Sequence, residues 1–149
     1  MTNKLKYFVG NWKMYGDLSS FKILKTIDNF LNKNKRIGKS KVIMCIPNTL
    51  IKLFSLKLKN SSIYLGAQNC HYQEKYGPFT GSVSASMLKK IGANFVIIGH
   101  SENRNQGDTD IDINKKINSA LNQNLTVIFC VGENLKEKRK KTTKLILKK

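Results

Sequence analysis

The sequence predicts an α/β protein built on a mainly parallel sheet. Five short apolar runs, the helical patterns between them, and an average interval of about 30 residues from one run to the next carry that prediction. The first run, Leu5 to Val9, marks a strand near residues 5–10. Behind Asp17 and Ser19, Phe21, Leu24, Ile27 and Leu31 recur at helical spacing, with the acidic residue where the helix dipole favours it. The second run, Val42 to Ile46, ends at Pro47, and the third, Ile63 to Ala67, is followed by Gln68 and Asn69. The fourth, Phe95 to Ile98, leads into His100, Ser101 and Glu102. Asp108 and Asp110 then precede a second helical pattern of Ile113, Ile117, Ala120 and Leu121. The fifth run, Thr126 to Val131, leads to Glu133. Each run reads as a strand buried on both faces and joined to the next by a right-handed crossover. The loops that follow parallel strands emerge at one carboxyl edge, so Asn11, Lys13, Pro47, Gln68, Asn69, His100, Glu102 and Glu133 are expected to share one polar face.

Composition narrows the class of protein. The 149 residues are 40% hydrophobic, enough for one core and one domain, residues 1–149. No apolar run approaches the roughly 18 residues of a membrane span. Met1 to Lys6 runs into a strand without a signal-type core, so a cytoplasmic location and no membrane partner are expected. Cys45, Cys70 and Cys130 are odd in number, widely spaced and free of a CxxC pair, which speaks against a disulfide framework and a metal site. The net charge of +18 is large against the usual magnitude of about 2 to 8. Nucleic-acid binding would account for it, with Lys136, Lys138, Arg139, Lys140, Lys141 and Lys144 as the best patch. However, Lys outnumbers Arg 24 to 3, and Asn and Ile are also inflated. Those three residues share A/T-rich codons, and nucleic-acid recognition favours the Arg fork. A nucleotide bias acting on solvated faces therefore explains the charge better, and the basic run reads as the outer face of a helix.

Length alone fits a flavodoxin-like or receiver-like open sheet, and the motifs oppose both. A receiver needs carboxylates after its first and third strands, where Asn11 and Gln68 stand. Gly10-Asn11-Trp12-Lys13-Met14 is no phosphate loop, and Gly38-Lys39-Ser40 has Lys33 where a P-loop pattern needs its first Gly. Gly99-His100-Ser101-Glu102-Asn103 lacks the second Gly of a nucleophile elbow.

Five segments occur in the order and spacing of one family: Gly10-Asn11-Trp12-Lys13-Met14, Gly66-Ala67-Gln68-Asn69, Gly77-Pro78-Phe79-Thr80-Gly81, Ile98-Gly99-His100-Ser101-Glu102-Asn103-Arg104 and Cys130-Val131-Gly132-Glu133. Across nearly its whole length the chain closely resembles the triosephosphate isomerases. The resemblance implies a TIM (β/α)8-barrel fold, here an incomplete barrel of about five βα units with strands near 5–10, 42–46, 63–67, 95–98 and 126–131. It implies interconversion of dihydroxyacetone phosphate and glyceraldehyde 3-phosphate through an enediolate, in glycolysis and gluconeogenesis, with no cofactor. By the same resemblance His100 is the electrophile that polarises the carbonyl, as a neutral imidazole at a helix N-terminus starting at Ser101. Lys13 is the cation near the phosphate and the developing oxyanion, Asn11 hydrogen-bonds substrate oxygens, and Glu102 supports Lys13. Without the motif matches, Lys13 would read as one surface lysine among many and His100 as a structural histidine. Trp12, Cys45 and Cys130 read as packing residues, and His71 receives no role.

The resemblance also sets limits. The family's base, a glutamate in a Glu-Pro-x-Trp segment, and its Gly-rich phosphate loops do not occur in these 149 residues. A truncated chain, negligible activity on its own and a complementing C-terminal fragment are therefore expected. Ser82 and Asn103 stand where the family has a Glu and an Arg paired across its dimer interface, and Tyr15 replaces an Asn nearby, so a weakened homodimer is expected. Asn124 stands for a helix-ending Gly, as the next best left-handed residue. Two further readings remain: a non-catalytic remnant or binding module, and the basic nucleic-acid-associated protein. Finally, five strands leave the first and fifth as open edges, whose inward Val, Ile and Phe side chains are expected to be exposed.

Overall fold

A computed structural model describes residues 5–34 and 40–148. Gly38 and Lys39 of the P-loop-like tripeptide, and the first four residues, lie outside the described residues.

Five parallel strands form one sheet in sequential order, curled as part of a barrel. They are β1 (Lys6–Asn11), β2 (Ser40–Cys45), β3 (Ile63–Ala67), β4 (Phe95–Ile98) and β5 (Thr126–Phe129). The helices are α1 (Phe21–Lys33), α2 (Asn48–Lys57), α3 (Ala85–Lys90), α4 (Ser101–Asn105), α5 (Asp110–Asn122), α6 (Leu135–Arg139) and α7 (Thr143–Ile146). Strands three and four have the bounds the apolar runs predict. The other three shift: β1 extends to Asn11, β2 starts earlier and stops before Ile46, and β5 stops before Cys130. Ile46 and Cys130 still bond across, to Gly66 O and Ile98 O at 3.0 and 2.9 Å, as the chain turns into its loops.

Period-two alternation divides the apolar side chains between two layers. Met44, Ile46, Val96 and Ile98 face the helices and pack with Leu24, Ile51, Phe54, Ile113 and Ala120. Ile43, Cys45, Phe95 and Ile97 face the other way and form a second buried cluster against Ile128 and Cys130. The curl closes the middle of this inner face, so exposure there falls short of the expectation. At the edges the expectation of strands buried on both faces fails. Tyr7, Phe8 and Val9 of β1, and Phe129 of β5, are exposed, because each edge strand has a neighbour on one side only.

Local signals act as predicted at several positions. Asp17 caps a short 3-10 turn, Leu18–Ser20, that leads into α1, and Thr109, between the two expected acids, caps α5 in a reciprocal pair with Asp112. Asn124 adopts φ 54° just beyond α5. Trp12 packs edge-on to Phe54 with ring centroids 6.3 Å apart, and Cys45 is fully buried, as packing residues should be. The basic run departs from the expected single outer helix. It forms two short helices broken at Lys141, whose φ is 57°. No described helix is long and apolar enough to cross a membrane.

Candidate active site

The ends of β1, β3 and β4 bring the predicted residues to one cleft of about 360 Å³, lined by Asn11, Lys13, Asn48, Gln68, His100 and Glu102 among others. Glu133 and Cys130 do not line it.

Lys13 enters the site on a left-handed backbone, φ 52°, a conformation costing about 1–3 kcal/mol for a residue with a Cβ. Two polar side chains hold it there. Asn11 Oδ1 accepts the Lys13 N–H at 2.9 Å, and Gln68 Nε2 donates to the Lys13 carbonyl at 2.8 Å. The same Gln68 amide also reaches Asn11 Oδ1 at 3.3 Å and the Cys45 carbonyl at 3.2 Å, so β1, β2 and β3 meet on one side chain. Its position at the carboxyl edge was legible in the sequence; its grip on Lys13 was not, because the bond spans 55 residues.

From this backbone Lys13 Nζ donates to Glu102 Oε1 at 2.8 Å. The hydrogen bond to Glu102, then its charge, holds the Lys13 ammonium above its ordinary 10.5. The hydrogen bond from Lys13 is the largest effect holding the Glu102 carboxyl below its ordinary 4.5, against a smaller opposing desolvation. Both groups are therefore charged at neutral pH. His100 caps the first turn of α4, its Nδ1 accepting the Glu102 N–H at 3.3 Å. Glu102 Oε2 lies 3.5 Å from the same nitrogen. An Nδ1 that accepts a backbone N–H leaves the ring proton on Nε2, the tautomer suited to donating from that atom.

A second polar cluster lies behind the cleft. Lys116 is 6% exposed, yet its ammonium donates to both Asp108 oxygens at 2.7 Å and to Asn69 Oδ1 at 3.2 Å. It thereby ties α5 to the loops after β3 and α4. The sequence carried a signal: Lys116 falls on the stripe of Ile113, Ile117 and Ala120, eight residues after Asp108. His71, left without a role, sits in the loop after β3 and packs against the rings of Tyr72 and Phe79. Burial pushes its imidazole below the ordinary value, helped by Lys116. Among the described residues no group of three metal-ligating side chains converges.

Comparison with known proteins gives one answer. The triosephosphate isomerase of Dictyoglomus thermophilum is 40% identical over 148 residues, covering 97% of this chain and 57% of that protein. The triosephosphate isomerase of Wolbachia pipientis wMel is 41% identical over 139 residues, covering 93% of this chain and 54% of that protein. A crystal structure of triosephosphate isomerase from Bartonella henselae superposes with a TM-score of 0.89 at 36% identity, covering 96% of this chain and 58% of that one. The chain thus spans a little over half the length of the relatives it matches. The triosephosphate isomerase family model matches residues 6–149, and the chain belongs to that family.

Proposed function

We propose that these residues form the electrophilic side of a triosephosphate isomerase site, which interconverts dihydroxyacetone phosphate and glyceraldehyde 3-phosphate through an enediolate without a cofactor. One observation carries the reading: an ammonium from the end of β1 and an imidazole from the end of β4 line one cleft with Asn11, and a shared carboxylate, Glu102, touches both. The names of the relatives support the same reaction.

In this reading the substrate carbonyl oxygen takes the Nε2 proton of His100 as a hydrogen bond and lies within reach of Lys13. When a proton leaves the adjacent carbon, its electron pair moves into the carbon–carbon bond and charge develops on that oxygen. Preoriented donors stabilise such charge strongly, because they need no rearrangement at the moment of reaction. Asn11 hydrogen-bonds the substrate oxygens, and Glu102 keeps the Lys13 ammonium in place. Glu102 is a poor base, since its pair with Lys13 holds it ionised at the expense of proton affinity. The base that takes the carbon-bound proton and returns it to the neighbouring carbon, and the loops that hold the phosphate, come from a segment outside these 149 residues. That segment is either joined to them or supplied as a complementing C-terminal fragment. A homodimer lacking an ion pair between positions 82 and 103, and a cytoplasmic location, belong to the same proposal.

The test is complementation. The chain combined with a segment carrying Glu-Pro-x-Trp and the Gly-rich phosphate loops is expected to isomerise triose phosphates, and His100→Gln is expected to lower turnover by about 10²–10³-fold, the usual effect of losing one such donor. Unchanged turnover in the complemented His100→Gln protein overturns the assignment.

A further inference from the structure

We propose that Arg104 is a positioning residue that aims the His100 imidazole by clamping the loop after β4 to the end of β5. The proposal takes its interest from the catalytic reading of His100, but its geometry stands independently.

The guanidinium reaches three segments at once. Its Nε donates to Gly99 O at 2.8 Å, its Nη1 to Asp110 Oδ1 at 2.7 Å, and its Nη2 to Cys130 O at 3.4 Å. A planar guanidinium spreads its five N–H donors over three nitrogens in a fixed fork, so it reaches acceptors on separate segments that the donors of a single ammonium nitrogen cannot span from one point. The Gly99 carbonyl belongs to the peptide plane that enters His100. The Arg104 backbone N–H donates to His100 O at 3.0 Å and so holds the plane that leaves it. The two planes flanking one Cα define its φ and ψ, here −58° and 143°, and therefore the direction of its Cβ. Arg104 fixes both. The remaining side-chain freedom of His100 is taken up by its Nδ1 bond to the Glu102 N–H.

Gly99 makes the clamp possible. At φ 77° it is left-handed, and a Cβ there would lie 3.0 Å from Cys130 O and 3.1 Å from Arg104 Nη2. A side chain at residue 99 would therefore be strained by its backbone and would press on both the Cys130 carbonyl and the guanidinium. Asp110 contributes least to this aim, because its side chain is 84% exposed and exposed ion pairs are weak.

Ring nitrogen NMR of the 149-residue chain labelled at its two histidines tests the proposal, since it reads the His100 tautomer directly and requires no turnover. Recorded at alkaline pH, where imidazoles are neutral, the parent is expected to show one tautomer with its proton on Nε2. Arg104→Lys and Arg104→Gln are expected to lose that single signature and populate both tautomers. Asp110→Asn is expected to keep it. Retention of the parent signature in Arg104→Gln overturns the proposal, as does its equal loss in Asp110→Asn. Loss of cooperative melting in both Arg104 variants also overturns it, since the residue would then be purely structural. Failure of the isomerase reading would appear elsewhere, as an inactive complemented chain whose tautomer results are unaltered.

Discussion

Lys13 Nζ and Glu102 Oε1 meet at 2.8 Å across 89 residues of sequence, joining the end of β1 to the first turn of α4. Both side chains are about half exposed, at 51% each, so the pair adds little to stability and acts chiefly by placing the ammonium.

That pair makes a prediction about pH. The Glu102 carboxyl is held below 4.5, so its contribution is present above that value and is lost as pH falls through the folded one. Lys13 is held above 10.5, so its contribution is present below that value and is lost as pH rises through the folded one. Glu102→Gln is expected to soften the acid limb of a melting-temperature profile only slightly, because the pair is half exposed and the carboxyls of Asp17, Glu74 and Asp112 are also held low. An acid limb that disappears in the variant would show that the pair carries more stability than its exposure allows.

Lys116 carries a larger stability effect, because its ammonium is buried. Lys116→Met leaves the Asp108 carboxylate, 18% exposed, without its cation, and is expected to cost about 3 kcal/mol, the low end for breaking a buried pair. Adding Asp108→Asn removes the orphaned charge and is expected to restore about 1 kcal/mol. Denaturant midpoints of the single and double variants decide this; a double variant less stable than the single one refutes it.

The 149 residues alone are expected to show no appreciable isomerase activity. In the proposed mechanism Lys13 and His100 polarise the carbonyl while the base and the phosphate loops lie outside these residues. Lacking a general base costs about 10²–10⁴ in rate, and lacking phosphate contacts removes binding energy besides. Turnover near 10³ s⁻¹ or above by purified chain free of host enzyme would exclude this account.

Association should increase with salt. Tyr7, Phe8 and Val9 on one edge and Phe129 and Val131 toward the other are exposed beside unpaired strand backbone. The +18 charge opposes contact at low salt, and its reach falls to about 8 Å at physiological ionic strength. Sedimentation from low to physiological salt is expected to show growing assemblies. A compact monomer at both would contradict the open-edge description.

The sequence by itself determined whatever depends on near neighbours. The apolar runs gave five strands to within two residues at every end, the helical spacing of Phe21, Leu24, Ile27 and Leu31 gave α1, and Asn124 took the left-handed turn its small polar side chain tolerates. Motif order gave the family, and with it the four residues expected at the site, which line one cleft. Tertiary structure decided the rest. Whether an apolar strand is buried depends on what lies beside it, so β1 and β4 read alike in sequence and differ fully in exposure. The bond from Gln68 to Lys13, the burial of Lys116 and the three-way reach of Arg104 each join segments that meet only because the strands stand side by side in sequential order and curl. Local spacing sets which face a residue occupies, but the partner across that face comes from another strand or loop, and only the folded sheet brings the two within hydrogen-bond distance.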